Sequence, residues 1–124
     1  MKTVLVVTFM VALSTSDFAQ PDGTTMLHDC NLDISQDGGK KLEGIESLDA
    51  MACVSYVAGY LDAVHFFSDL GDDLACFPTE RLATLQAEKI LVKYLGAHPE
   101  QLHKSAEFLL ARSLQEAFPC DKEK

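Results

Sequence analysis

The chain is short of basic residues, with ten lysines and arginines against nineteen aspartates and glutamates. The net charge of −9 and pI near 4.7 argue against nucleic acid or an anionic lipid surface as partner, because like charges repel. Such a chain is steered toward a basic partner, or the charge serves solubility alone. No C-x-x-C pair occurs among Cys30, Cys53, Cys76 and Cys120, which speaks against a structural zinc site. No serine sits in a G-x-S-x-G elbow, and four paired cysteines leave no thiol nucleophile. His28, His65, His98 and His103 are scattered; the five-residue step from His98 to His103 does not put two imidazoles on one helix face. The sequence therefore gives no catalytic residue, no metal ligand set and no cofactor. It reads as a chain that binds and does not catalyse.

What is present begins with Met1-Lys2-Thr3, the apolar run Val4–Leu13 and the small polar residues Ser14-Thr15-Ser16. This is the pattern of a secretory signal peptide, with cleavage after Ser16 or Ala19. The expected division is a signal peptide over 1–19 and one mature domain over 20–124. The first run is too short to span a bilayer, and no later segment is expected to cross one. A domain of this size buries only about two-thirds of its unfolded surface, so four cysteines in an exported chain read as two disulfides.

No segment alternates with period two, and no internal repeat occurs. Thr24 can cap a short first helix that turns Met26, Leu27 and Cys30 to the core. The stretch 31–44, with Asp33, Ser35, Asp37, Gly38 and Gly39, reads as a loop. Ser47 can cap a second helix running to about Leu70. Its stripe of Ala50, Cys53, Val54, Val57, Leu61 and Val64 adjoins another of Tyr56, Tyr60, Ala63 and Phe67, so it is expected to be central and buried on two sides. Gly71-Asp72-Asp73 breaks it. Thr79 can cap a third helix bearing Leu82, Leu85, Leu91, Val92 and Leu95, with Gly96 as its left-handed stop. His98 and Pro99 open a fourth, whose face of Leu102, Ala106, Leu109, Leu110, Leu114 and Ala117 ends at Pro119. The expectation is an all-α bundle of four main helices. Antiparallel packing of consecutive helices favours Cys30–Cys53 and Cys76–Cys120, with two other connectivities open to the sequence.

Asp62 lies between the two stripes, where a free carboxylate is costly. It is read as a buried hydrogen-bonding group, with a functional acid as the alternative. Gly59 in mid-helix costs about 1 kcal/mol relative to alanine. Close approach of another helix is the expected return.

Three blocks resemble the Rap/Tai family of type VI secretion amidase immunity proteins. They are Cys53-Val54-Ser55-Tyr56-Val57-Ala58-Gly59-Tyr60-Leu61-Asp62, then Cys76-Phe77-Pro78 with Gln86. The third runs from Tyr94-Leu95 through His98-Pro99-Glu100, Leu102-His103 and Ala106 to Ala117-Phe118-Pro119-Cys120. They span about two-thirds of the chain in the family's order. The resemblance implies a helical periplasmic protein without enzymatic activity, usually a homodimer, that plugs the active-site cleft of a secreted peptidoglycan amidase. It implies structural roles for the cysteines, Tyr56, Gly59, Asp62, His98 and Pro99. Partner contacts are then expected on exposed turns: Gly96–Gln101 with Glu100, Gln101 and Lys104, the acidic turn of Asp69, Asp72 and Asp73, and the loop Ser35–Glu43. The favoured turn is 96–101. Two other readings compete. A periplasmic acid-stress chaperone would loosen below about pH 4 as carboxylates protonate, and a carrier of a small apolar ligand would need a pocket between helices.

Overall fold

The computed structural model describes residues 19–78 and 81–121. Apart from Ala19, the expected signal peptide lies outside them, as does Thr79. Among the described residues the chain forms four α-helices and no strand: α1 (Gly23–Asp37), α2 (Ile45–Asp69), α3 (Thr84–Ala97) and α4 (Ala106–Ala117), with a 3-10 turn at Pro99–Gln101. The all-α expectation holds.

α1 is capped by Asp22, whose Oδ1 accepts from the Thr25 amide at 2.9 Å, so Thr24 is not the cap. The helix continues through 31–37, where turn-forming residues suggested a loop. Its inner face decides this. Leu32 is buried with Leu42 and Ala50 in a small cluster of their own, while Gln36 and Asp37 point to water. Local propensity yields to that packing. The helix stops at Gly38 and Gly39, the latter at φ 99°.

α2 begins after Gly44, not at Ser47. Gly71 at φ 93° ends it, with the Asp72 amide reaching back to the Phe67 carbonyl, a left-handed stop of the kind glycine favours. α2 is not central. It lies mainly against α1, whereas α3 packs on α1, α2 and α4. Of its second stripe, Tyr56 and Tyr60 are half-buried against the core, but Ala63 and Phe67 are exposed. α2 is also long and apolar enough to cross a membrane by length and composition, contrary to the expectation for segments after residue 19. Its inner side belongs to the core of this fold through Cys53, Val57, Leu61 and Val64.

Leu91 and Leu95 of α3 and Leu109, Leu110 and Leu114 of α4 are fully buried with Met26 and Val57. Gly96 has no positive φ and lies inside α3, which ends at His98. The fourth helix does not start at Pro99. The chain first makes the 3-10 turn, then turns outward, because the start of α1 takes the carbonyls in between. Gly23 N donates to Lys104 O at 3.0 Å, Thr24 N to Leu102 O at 3.2 Å, and Ala106 N to Pro21 O at 2.9 Å. Amides orphaned at one helix start are thus satisfied by the approach to another. Only glycine fits at position 23. A Cβ there would lie 2.8 Å from Leu102 O and 2.7 Å from Leu109 Cδ1.

Both favoured disulfides are present. Cys30–Cys53 is buried and joins α1 to α2; Cys76–Cys120 lies at the surface and joins the segment before α3 to the end of α4. No free cysteine remains.

Candidate partner-binding surface

The turn after α3 is rigidly framed. Tyr94 stacks near His98 with ring centroids 4.4 Å apart, and its hydroxyl donates to Gln101 Oε1 at 3.2 Å. His98 Nδ1 lies 3.3 Å from Glu100 Oε1, and its Nε2 lies 3.8 Å from Glu116 Oε2. Pro99 opens the 3-10 turn, where its fixed φ suits a first helical position. His98 and Pro99 therefore build the frame, but His98 closes α3 and does not cap α4. Glu100 projects outward, its side chain two-thirds exposed. Its own backbone N–H and the His98 ring hold its carboxyl below the usual carboxylate range. Gln101 is tied inward to Tyr94. Lys104 lies over the exposed Phe108 ring, 4.8 Å from its centroid, a surface cation–π contact. His103 is exposed beside them.

The acidic turn forms a second surface. Asp72 and Asp73 edge a groove of about 510 Å³ floored by Tyr60, Ala63, Val64 and Phe67. Asp69 and Asp73 line a neighbouring polar cleft with His65, Ser68 and Arg81, in which the Ser68 hydroxyl donates to Asp73. Glu100, Gln101 and Lys104 line neither cavity. The third expected surface is cut down: Ser35 belongs to α1, and Leu42 within the 38–44 loop is buried.

Two residues depart from their expected roles. Asp62 is exposed, with 78% of its side chain accessible, and sits 3.9 Å from Arg81 Nη1. The periodicity places it on the outer edge of α2, not between packed faces. Gly59 faces open space, with nothing among the described residues within 4 Å of a Cβ added there, so none of the described helices approaches it. Tyr56 does have a structural tie: its hydroxyl donates to Glu107 Oε2 at 3.3 Å, linking α2 to α4. That contact lowers the Glu107 carboxyl, after the larger effects of the Ser105 hydroxyl and its own amide.

One feature escaped the sequence reading. The outer face of α2 exposes Ile45, Leu48 and Met51 at one end and Phe66, Phe67 and Leu70 at the other. Between them lie Ala52, Ser55 and Gly59, also exposed. A helix apolar nearly all round carries this signal, but it reads equally as two-sided burial.

The architecture, the two disulfides and the framed turn after α3 can now be set beside known proteins. A family model described as Rap1a immunity proteins matches residues 22–120. The chain belongs to the Rap1a immunity protein family. The match runs from the Asp22 cap to the last cysteine, covering every helix described above. Membership in the Rap1a family implies an effector protein as binding partner. No curated protein and no solved structure gives a significant match.

Proposed function

We propose that this protein is a periplasmic immunity protein that binds a type VI secretion peptidoglycan amidase and blocks its active-site cleft. The family match over 22–120 carries this reading. The turn at His98–Gln101 supports it, since an inhibitor that plugs a cleft needs a projecting segment whose shape is set before binding. Preorganisation lowers the cost of association. Glu100 is the outward contact, with Gln101 and Lys104 beside it. The acidic turn of Asp69, Asp72 and Asp73 steers a basic rim of the effector toward the complex. Two disulfides fit an oxidising compartment, and the N-terminal segment supplies export.

The decisive experiment is capture of secreted and periplasmic proteins on the mature domain, with elution in high salt. One stoichiometric amidase, inhibited when the protein is added back, is the expected result. Glu100→Lys should then weaken inhibition at least tenfold with an unchanged Tm. Capture of many unfolded clients only at acid pH would replace this reading with the chaperone.

The active form is proposed to be a homodimer joined through the outer face of α2. A second copy supplies what the described residues of one chain do not: cover for Ile45, Leu48, Phe66 and Leu70, and a close neighbour for Gly59. Small residues at 52, 55 and 59 let two helices approach closely, and the apolar ends then pack on one another. Sedimentation should give a dimer for the parent protein and a monomer for Gly59→Leu, whose exposed side chain leaves the monomer fold intact. A monomeric parent would remove the dimer while leaving the inhibitor reading in place.

A further inference from the structure

Near the Cys30–Cys53 disulfide, three side chains from two helices converge. His28 and Asp29 come from α1 and Asp49 from α2, and one potential ligand atom from each lies within 4.8 Å of the others. His28 Nδ1 is 2.9 Å from Asp29 Oδ1. We propose that His28, Asp29 and Asp49 bind one divalent cation of the zinc class.

Several features separate this cluster from an ordinary acidic surface. It offers one imidazole nitrogen and two carboxylates, a mixed donor set that suits borderline transition cations better than magnesium or calcium. The Asp29 side chain is largely buried, with 12% of it exposed, and it is paired with His28; a buried carboxylate is paired or holds a metal. Its partner, the His28 imidazole, is 61% exposed. The charge around that imidazole is lopsided: Asp29, Asp49 and Glu46 all act on it. A single imidazolium offsets only one of these charges. Glu46 is turned toward Lys40 at 3.7 Å, while no lysine pairs with Asp29 or Asp49 among the described residues.

The scaffold is suited to the task. The disulfide links residue 30 to residue 53, with a Cα–Cα distance of 5.2 Å, so it holds the two ligand-bearing helices in register immediately beside the donors. Ligands about 2 Å from a tetrahedral zinc lie roughly 3.3 Å apart, so no donor pair has to close by more than about 1.5 Å. Three protein ligands leave a fourth position for water or a partner's side chain. His28 and Asp49 are twenty-one positions apart, which is why spacing in the chain does not show the site; packing of α1 on α2 makes it.

The test uses the oxidised protein freed of metal and titrated with Zn2+ alone by calorimetry, followed by melting in saturating Zn2+. The expected result is one site per chain, a raised Tm, and no competition from tenfold excess Mg2+. His28→Ala and Asp49→Asn should each weaken binding at least about tenfold and abolish the Tm rise. Both positions are at least partly exposed, and unchanged circular dichroism and intact disulfides in each variant separate ligand loss from misfolding. Absence of one-to-one binding overturns the proposal. So does binding that survives in His28→Ala, which would place the metal on other histidines.

Discussion

Replacing Cys30 and Cys53 together by alanine is expected to lower the Tm by more than about 10 °C under oxidising conditions. The bond closes a loop of 23 residues in sequence, and restriction of the unfolded chain by such a loop contributes about 3 kcal/mol. Each kcal/mol shifts a domain of this size by several degrees. Both sulfurs are fully buried against Met26 and Val57, so truncation also opens space that the core fills only in part. The second bond makes an internal contrast. Cys76–Cys120 spans 44 residues, and the same entropic argument gives it about 4 kcal/mol, but both of its residues are exposed. Cys120→Ser should therefore lower the Tm markedly in oxidising buffer and little in reducing buffer. Alkylation and mass spectrometry during a dithiothreitol titration should find Cys76 and Cys120 labelled before Cys30 and Cys53. Labelling in the opposite order would show that access does not govern reduction here.

Glu88→Gln should change how stability depends on pH. Glu88 lies on α3 with 1% of its surface exposed, and neither oxygen finds a hydrogen-bond partner of good geometry. Burial pushes its carboxyl up to about 8, and the Asp33 carboxyl of α1 beside it adds to the effect. In the unfolded chain the group titrates near 4.5. Between these two values the folded protein keeps a proton that the unfolded chain releases. Stability from this group is complete below pH 4.5, falls as pH rises by up to about 1.4 kcal/mol per unit, and levels off above pH 8. Glutamine has the shape of the protonated acid and does not ionise. The variant should match the parent near pH 4.5 and exceed it at pH 8.5 by several kcal/mol, up to about 5 kcal/mol. Urea midpoints at pH 5, 7 and 8.5 provide the check, and parallel slopes for the two proteins would sink the idea. The direction also bears on the chaperone alternative: this buried acid tightens the fold in acid.

The particular residues show how far the sequence was legible. Periodicity located most of the inner face of α2 and α4, because Cys53, Val57 and Leu61, and Leu109, Leu110 and Leu114, recur at helical spacing and all are buried, although Ala117 is exposed. It could not say whether an apolar second face meets this chain or something else, which is why Phe67 was placed inside and Asp62 between layers. Polar residues misled where packing outweighed propensity, as over 31–37, where Leu32 holds the helix together. Glu88 left no trace in the pattern, since a charged residue amid helix formers reads as solvated. The turn at His98–Gln101 was recognised from its glycine and proline, but its frame depends on Tyr94 and on where α1 begins, contacts that no local pattern encodes.

The order of the disulfides has a consequence for how the chain matures. The bonds join the first cysteine to the second and the third to the fourth, and the two loops, 30–53 and 76–120, neither overlap nor enclose one another. A chain that emerges amino end first into an oxidant meets each correct partner as the next thiol to appear. Native pairing then needs no reshuffling, and α1 and α2 can be stapled while α4 is still arriving.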